Sequence, residues 1–486
     1  MTSRQVQLAE KQDNQVRSGM VVVREELEVP THFPDAVQQA AVAAAQLEFG
    51  EGREDLTQIE FVTIDPAGSL DLDQAVWVGA TEAGFLVHYA IADVAAFVPA
   101  GGAIDEEARA RGLTLYAPDG RVSLHPQVLS EGAASLLADQ ATPAVVWTIE
   151  LNHRGEQQSV AVRRAMVKSR AQLSYEQVQD ALDDGSADDL LLALRDVGRL
   201  RQQLERERGG IDLPTPQQII SHADGVWTLT FRAPLPVEGW NAQISLLTGM
   251  AAAELMLEAG VGVLRTMPAP DPQDLRRVKR TAEGLGMKWP ANNSYPDLIR
   301  SADPSKAQHL AFLSLATTLL RGAGYTVFDG EEPELDTHSA VAAPYAHVTA
   351  PLRRLVDRFG TEIALATAAG DPIPDWVTEA LPQLPQLLAD ATRKARSLER
   401  ESIRLVEAVL LADRVGDIFE AAVVDRDARG VFQIVVHEPA VRGKAKGNLT
   451  VGTEAEVTLT VADPPTRRVQ FAAGEATEVV GDSAPV

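Results

Sequence analysis

Residues 63–75 carry the sequence Thr63-Ile64-Asp65-Pro66-Ala67-Gly68-Ser69-Leu70-Asp71-Leu72-Asp73-Gln74-Ala75. Three aspartates, Asp65, Asp71 and Asp73, surround a Pro/Gly turn between two apolar strands. Crowded carboxylates repel one another and raise each other's pKa unless a cation neutralises them. Because hard oxygen ligands suit Mg²⁺ or Mn²⁺, the stretch predicts a metal site. The alternative is a solvated Asp-rich loop.

The spacing of the aspartates supports metal binding. In an extended chain alternate residues point to one face, so Asp71 and Asp73 would lie side by side. The turn would let Asp65 fold back towards them. Two metal ions about 3.5–4 Å apart on such a cluster could activate water and stabilise the leaving oxygen of a phosphodiester.

Outward from this stretch, the pattern predicts two structural units. Short β-rich runs between Gly and Pro turns occupy 59–151, and helical periodicity dominates 174–411. This order favours an α/β or α+β domain, with expected bounds of 56–411. A small five-stranded barrel of the oligonucleotide-binding type is expected at 415–473. Its strands are predicted at 419–424, 431–437, 448–451, 455–461 and 468–471.

The two ends of the chain carry weaker patterns. We expect residues 1–55 to form a partly ordered leader with one short helix at 36–47. Phe33-Pro34-Asp35 would begin this helix, because proline is favoured near the first turn. Residues 474–486 are expected to form an untethered tail.

The composition limits the classes of function. The chain has 486 residues, no cysteine and a net charge of −25. Without cysteine, disulfides and thiolate zinc sites are excluded, so a metal must bind oxygen or histidine. The negative charge argues against a protein that coats nucleic acid nonspecifically. With no long apolar run and no secretory signal, we expect no membrane partner and a cytoplasmic location.

Further blocks follow in order along the chain. They are Tyr-Ala-Ile-Ala-Asp-Val at 89–94, Arg-Gly-Leu-Thr-Leu-Tyr at 111–116, Leu-Ser-Glu-Gly at 129–132 with Ser135-Leu136, Val-Lys-Ser-Arg-Ala-Gln-Leu-Ser-Tyr at 167–175, Arg-Gly-Gly-Ile-Asp at 208–212 and Tyr-Ala-His-Val-Thr-Ala-Pro-Leu-Arg-Arg at 345–354. The chain thereby resembles the ribonuclease II family, whose catalytic domain opens with Thr-Ile-Asp-Pro followed by Asp-x-Asp-Asp.

The resemblance implies both a fold and an activity. The fold would be an α/β (α+β) RNB catalytic domain followed by a small all-β S1/OB-like barrel. The activity would be 3′-to-5′ hydrolysis of single-stranded RNA to nucleoside 5′-monophosphates, in RNA processing and decay. The cofactor would be Mg²⁺ or Mn²⁺ in a two-metal-ion mechanism. No obligate protein partner is implied.

The resemblance also implies roles for single residues. Asp65, Asp71 and Asp73 would hold metal, and the loss of Asp73 would damage catalysis most. Arg353, expected in the first turn of a helix opened by Pro351, would grip the scissile phosphate. RNA contacts are implied for Tyr116, Tyr175, Arg353, Arg354 and Glu399. Outside such a family, an isolated tyrosine or an Arg-Arg pair is usually structural.

Two residues depart from the family pattern. Gln74 stands in place of the fourth carboxylate and offers only a neutral carbonyl oxygen. Gln243 lies where relatives begin an apolar helix with glutamate. An alternative is therefore an inactive or weakened RNA-binding relative, and a more distant one is a scaffold built around the barrel. Long members carry two cold-shock-like barrels that about 56 residues cannot hold, so we expect weaker RNA anchoring.

Overall fold

The computed structural model describes residues 3–290 and 294–473, so the expected tail at 474–486 lies outside the described residues. The elements up to residue 232 are α1 (Ser3–Glu26), α2 (Asp35–Ala44), β1 (Glu54–Asp55), β2 (Phe61–Asp65), β3 (Gln74–Thr81), β4 (Gly84–Ala92), α3 (Val94–Phe97), α4 (Ala103–Arg111), β5 (Leu115–Ala117), β6 (Gly120–Val122), β7 (Ala141–Asn152), β8 (Gln157–Ser174), α5 (Tyr175–Asp184), α6 (Asp189–Glu207), β9 (Gln217–Ala223) and β10 (Val226–Arg232).

The remaining elements are α7 (Pro236–Ala259), β11 (Val261–Thr266), α8 (Pro272–Gly284), α9 (Tyr295–Ser301), α10 (Ala307–Ala316), β12 (Gly324–Asp329), β13 (Thr337–His338), β14 (Ala343–Pro344), α11 (Leu355–Ala369), α12 (Asp375–Thr378), α13 (Leu384–Leu411), β15 (Ile418–Arg426), β16 (Phe432–Val436), β17 (Val441–Lys446), β18 (Glu454–Asp463) and β19 (Arg468–Ala473). The predicted order, a mixed helix and strand unit followed by an all-β barrel, is confirmed. None of the helices in the described ranges has the length and hydrophobicity of a membrane span.

The central sheet curls back on itself. Its strand order is β1-β8-β2-β3-β4-β7, and β7 also pairs with β8. Large side chains such as Tyr89 and Trp147 are almost completely buried in it. β2 runs parallel to β8, with Asp65 opposite Ser174. Since these two strands end side by side, Asp65 lies next to the start of α5.

Helices cover the sheet, but the region from 174 to 411 is less helical than expected. α7 and α11 pack together, and most of α11 is buried. α7 ends at Ala259 because Gly260, with φ of 69°, adopts the left-handed conformation that glycine tolerates. Helical periodicity in the sequence predicts a helix over 242–264, and this prediction is wrong beyond Ala259. Antiparallel pairs β9–β10 and β11–β12 also interrupt the helices.

The leader contains two helices where one was expected. α2 corresponds to the helix predicted at 36–47. α1 buries Val16, Met20 and Val23 against α13. The sequence before Val16 is mostly polar, so the apolar face of α1 was not apparent from the sequence. The stability of α1 thus comes from tertiary packing more than from its own helix propensity.

The C-terminal strands close into a barrel in the order β15-β16-β17-β19-β18. Phe419, Ile434 and Phe471 fill its interior. The third strand is β17, so the strand predicted at 448–451 is wrong. The inward residues of β17 include Gly443, which has no side chain, and Ala445, which has only a methyl group, so the strand has little hydrophobic pattern.

Glu407 joins α13 to the barrel. Its Oε1 accepts hydrogen bonds from Nε2 of Gln218 at 2.8 Å and from the backbone N–H of Arg442 at 3.1 Å. Gln218 also donates to the carbonyl oxygen of Ala440. Burial raises the pKa of Glu407 to about 7, although these hydrogen bonds oppose the rise. One buried carboxyl group therefore links α13, β9 and the barrel.

Glu407→Gln is expected to change the pH dependence of stability. Because the folded-state pKa of Glu407 is raised, its stabilising contribution is fully present below pH 4.5 and is lost as the pH rises through about 7. A neutral glutamine retains an oxygen acceptor and has no charge to bury. At pH 8 the variant should exceed the wild type in free energy of unfolding by roughly 2–3 kcal/mol.

Urea unfolding at pH 4.5 and pH 8 measures this difference. The exposed Glu399→Gln on the same helix is the matched control. A difference between Glu407→Gln and wild type that is the same at both pH values would contradict the expectation.

Candidate active site

The loop that carries the aspartates is fixed by buried contacts. The backbone N–H of Leu72 donates to Oγ of Ser135 at 2.9 Å, and this hydroxyl donates to the carbonyl oxygen of Leu70 at 2.7 Å. Leu72 and Ser135 are both completely buried. Because β3 begins only at Gln74, Asp71 and Asp73 do not alternate along a strand as expected. Contacts with Ser135, far away in sequence, set the loop geometry instead.

Asp73 is the most buried of the three aspartates, at 3% exposed. Its Oδ1 accepts the backbone N–H of Leu352 at 2.7 Å, and its Oδ2 accepts Nε of Arg353 at 3.1 Å. Burial raises the pKa of Asp73 to about 7, while Arg353 and the Leu352 N–H act in the opposite direction. The Arg353 side chain is 41% exposed. It can therefore bind an anion from solvent while it contacts Asp73.

Asp65 and Tyr175 lie close enough to Arg353 to interact with its charge. Burial raises the pKa of Asp65 to about 6, opposed by Arg353 and reinforced by the charge of Asp71. Tyr175 is the first residue of α5, and its hydroxyl is hydrogen-bonded to Asn241. Burial also raises the pKa of Tyr175, with a further contribution from Asp65. The phenol therefore stays neutral beside the carboxylates.

Asp71 has its own partners on the β5–β6 hairpin. Tyr116 pairs directly with Arg121 across the turn. The Tyr116 hydroxyl donates to Oδ2 of Asp71 at 3.2 Å, and Nη1 of Arg121 donates to Oδ1 at 2.7 Å. Arg121 also forms an ion pair with Glu131 at 2.8 Å. Arg121 is not among the site residues predicted from the sequence, although the Pro118-Asp119-Gly120 turn predicts a hairpin that pairs it with Tyr116.

Arg354 has a different environment from its neighbour Arg353. Its guanidinium donates to both carboxylate oxygens of the fully buried Asp357, at 2.9 and 2.7 Å. Asp357 also accepts the N–H of Ala350 at 2.6 Å. This ion pair fixes the turn that carries Arg353. The predicted contact of Arg354 with RNA stays a prediction.

Arg353 does not lie in the first turn of a helix, so that expectation is wrong. α11 begins at Leu355. The N–H of Thr114 donates to the Arg353 carbonyl oxygen at 3.0 Å, and Arg354 forms a β-bridge with Leu113. Arg354 consequently has extended dihedral angles, φ −133° and ψ 124°. Pairing with 113–114 overrides the helix-starting preference of Pro351.

The structure brings Asp65, Asp71, Asp73, Arg353, Tyr116 and Tyr175 together. Gln74 borders this group, and its amide nitrogen donates to the carbonyl oxygen of Thr349. Gln243 lies outside it, buried in α7, with Nε2 donating to Glu205 at 2.7 Å. Glu399 is exposed on α13 and lines a separate groove with Arg396 and Arg400.

The donors present suit one hard divalent cation. Asp65 and Asp73 are acids whose pKa burial has raised, and a cation would favour their ionised forms. In the part of the chain that the structure describes, no three acidic or histidine side chains converge as a ready metal cage. Asp71 is shared by Arg121 and Tyr116. The site built from all three aspartates therefore stays a prediction.

Two family models match the chain. A model of the RNB domain matches residues 53–360, more than half of the sequence. The chain belongs to the RNB-domain ribonuclease family. A second model, the RNase II-type exonuclease C-terminal S1 domain, matches residues 417–474 and so covers the barrel. All six residues of the group described above lie in the RNB domain.

Curated relatives of the RNB domain include nucleases from bacteria and animals. The exosome complex exonuclease RRP44 of Homo sapiens is 26% identical over 63% of this chain and 33% of that protein. Ribonuclease R of Thermotoga maritima is 23% identical over 90% of this chain and 64% of that protein. Ribonuclease R of Escherichia coli is 27% identical over 83% of this chain and 53% of that protein. The chain thus spans between one third and two thirds of these relatives.

Solved structures share the RNB fold. Mycoplasma genitalium RNase R in complex with ribose-methylated single-stranded RNA has a TM-score of 0.84 at 21% identity, covering 93% of this chain and 77% of that chain. Yeast Ssd1, a pseudonuclease, has a TM-score of 0.68 at 17% identity, covering 86% of this chain and 52% of that chain. The fold therefore occurs with and without nuclease activity, so the residues of the site, and not the fold, determine the chemistry.

Proposed function

We propose that the chain is a cytoplasmic 3′-to-5′ exoribonuclease that hydrolyses single-stranded RNA to nucleoside 5′-monophosphates with Mg²⁺ or Mn²⁺ as cofactor. The observation that carries this proposal is the contact of Arg353 with Asp73 beside Asp65. An exposed guanidinium next to buried carboxylates suits a phosphodiester whose negative charge grows in the transition state. A protein that only holds RNA gains little from carboxylates near phosphates.

Each side chain has a task in this reaction. Asp65 and Asp73 would hold the cation, which when bound supplies an activated water and neutralises charge. Arg353 would donate to two oxygens of the scissile phosphate and orient it. The rings of Tyr116 and Tyr175 would stack on bases near the 3′ end. Stacking there selects the terminal phosphodiester for cleavage.

One cation is better supported than the two predicted from the three aspartates. A second cation would have Asp71 and the neutral carbonyl oxygen of Gln74 as its donors. Asp71 already accepts hydrogen bonds from Arg121 and Tyr116 on its two oxygens. Asp73 also accepts one hydrogen bond on each oxygen, from Leu352 and Arg353, so occupied oxygens do not separate the two residues. We propose that the buried Asp65 and Asp73, beside the exposed Arg353, provide the first cation site. Arg121 would compete with a second cation for Asp71.

The barrel offers a surface for the rest of the strand. Arg442, Lys444 and Lys446 alternate with buried residues along β17, so three cations share its outer face. Exposed cations attract phosphates through the release of counterions. The RNase R structure from Mycoplasma genitalium holds single-stranded RNA, and we propose the same class of substrate for this chain.

Combined Lys444→Gln and Lys446→Gln substitutions should weaken RNA binding and make it less salt-dependent. Two lost phosphate contacts are expected to lower the slope of log K against log salt by about 1 to 1.5 for a single strand. Fluorescence anisotropy with labelled RNA in an Asp73→Asn background measures this slope without digestion. Lys168→Gln with Lys306→Gln, both outside the barrel, is the control. An equal loss of slope in the control pair would argue against a role for β17.

The proposed reaction is tested by comparing linear and circular RNA of one sequence. An exonuclease needs a free end, so linear RNA should yield nucleoside 5′-monophosphates while circular RNA stays intact. Chromatography of the products identifies them. Short oligonucleotides released from the circle would reveal an endonuclease and refute the proposal.

A second candidate is a protein that binds RNA without hydrolysis. Gln74 favours it, because this residue borders the aspartates and replaces an acidic residue of the family pattern. Gln243 also replaces an acidic residue of that pattern, but it lies outside the group and contacts Glu205. Under this reading linear RNA would bind and yield no product at any metal concentration. The same assay therefore separates the two candidates.

A further inference from the structure

We propose that a cavity beside Arg121 is the exit site for the released nucleoside 5′-monophosphate, an inference that rests on the proposed function. The cavity has a volume of about 660 Å³. This lies within the range of about 300–1,000 Å³ that is typical of small-molecule sites. Its lining includes Asp35, Gln38, Arg111, Arg121, Gln127 and Val128.

Arg121 connects this cavity to the active site. Its Nη1 contacts Asp71, while the same side chain contributes to the cavity wall. Its cross-strand neighbour Tyr116 contacts the other oxygen of Asp71. Arg121 is therefore shared by the active site and the cavity wall, and the proposed exit passes this guanidinium.

The wall of the cavity is built around a buried arginine. Arg111 is 7% exposed. It donates to the carbonyl oxygens of His32 at 2.7 Å and Ser123 at 3.2 Å, and to Glu107 at 2.7 Å. Its guanidinium carbon lies 3.7 Å from the centre of the Phe33 ring. These contacts hold His32 and Phe33 against the RNB domain at the cavity wall.

The reaction itself calls for such an exit. Water adds its oxygen to phosphorus, the bond to the 3′ oxygen of the preceding nucleotide breaks, and that oxygen takes a proton. The terminal nucleotide leaves with a 5′-phosphate, while the shortened RNA still fills the path by which it entered. A second opening beside a cation lets the product leave without release of the strand.

The charges in the cavity suit weak binding of a mononucleotide. An exit site requires weak binding because the product must dissociate from it. Arg121 is already shared by Asp71 and Glu131, and Asp35 adds one acidic group at the wall. We therefore expect a dissociation constant on the order of millimolar for a mononucleotide. Gln38 and Gln127 supply uncharged donors and acceptors for the base and ribose.

Gln38→Glu and Gln39→Glu form a matched pair that tests binding. Both residues are exposed on α2, and only Gln38 lines the cavity. Saturation-transfer NMR with adenosine 5′-monophosphate should show about three- to fivefold weaker binding for Gln38→Glu, because a carboxylate repels the phosphate. Gln39→Glu should match the wild type, and uncharged adenosine should bind all three proteins alike. Equal weakening by both substitutions would overturn the proposal.

Val128→Trp tests transit, with Val42→Trp as its control. Val128 lines the cavity at 38% exposed, and Val42 is 53% exposed outside it. We expect Val128→Trp to leave the first cut in a single turnover unchanged and to slow later cuts severalfold. A slower first cut would refute an exit role. Unchanged rates for both the first and the later cuts would refute it as well.

These outcomes separate the two proposals. Binding of adenosine monophosphate that is sensitive to Gln38→Glu, in a chain that hydrolyses no RNA, would contradict the proposed function and support a nucleotide site. Normal hydrolysis without any effect of Gln38→Glu or Val128→Trp would contradict the exit site alone.

Discussion

Asp73→Asn is expected to lower the rate of RNA hydrolysis by about 10³-fold or more. The carboxylate of Asp73 would hold the cation, whose charge stabilisation is worth several kcal/mol, and each 1.36 kcal/mol is tenfold in rate. Asparagine retains an oxygen that can accept the Leu352 N–H, so the loop geometry should persist. Single-turnover hydrolysis of labelled RNA measures the rate, and anisotropy measures binding, which should be nearly unchanged.

Stability distinguishes a catalytic defect from misfolding in this variant. Because burial raises the pKa of Asp73 to about 7, ionisation at pH 8 is costly to the fold, and asparagine removes that cost. The melting temperature of Asp73→Asn at pH 8 should therefore equal or exceed that of the wild type. Asp139→Asn, an exposed position with φ of 63° that asparagine tolerates, is the matched control. Undiminished hydrolysis by Asp73→Asn would remove Asp73 from the mechanism.

Arg353→Gln is expected to lower the rate of hydrolysis, whereas Arg354→Gln is expected to lower stability, although the two residues are adjacent. Arg353→Gln should reduce kcat about 10²- to 10³-fold, as loss of a donor to the transition state does. Its melting temperature should change little, since the side chain is 41% exposed. Arg354→Gln leaves the fully buried Asp357 without its partner, which costs about 3–5 kcal/mol and roughly 5–10 °C in melting temperature.

The pH dependence of the two variants adds a second readout. The charge of Arg353 lowers the pKa of Asp73, so its removal should raise that pKa further. The acid limb of the pH–rate profile for Arg353→Gln should therefore move to higher pH. Thermal melting and kcat over pH 5.5 to 9 measure both effects. Equal losses of stability in the two variants would contradict the separate roles of Arg353 and Arg354.

The sequence predicted the local features that depend on short-range patterns. The strands near Asp65 and the barrel were predictable because apolar alternation and turn residues mark them. The resemblance implied the joint site of Asp73 and Arg353, which lie 280 residues apart. Only the resemblance to the family predicted that these two residues lie together, since no short-range sequence pattern links them.

Features that depend on tertiary contacts were not predictable. Ser135 fixes the aspartate loop through hydrogen bonds across more than 60 residues. The start of α11 is delayed by pairing with 113–114, which no helix pattern contains. The strand β17 was not predicted because two of its three inward residues, Gly443 and Ala445, are too small to give an apolar pattern. In each case a distant partner overrides the local preference.

The most direct measurement is digestion of a 5′-labelled single-stranded RNA by the wild-type chain, with Mg²⁺ and with a chelator. We expect a ladder of products that shortens from the 3′ end in Mg²⁺ and disappears in the chelator. RNA that binds but stays at full length in Mg²⁺ and in Mn²⁺ would contradict the proposed exoribonuclease and favour a protein that only holds RNA.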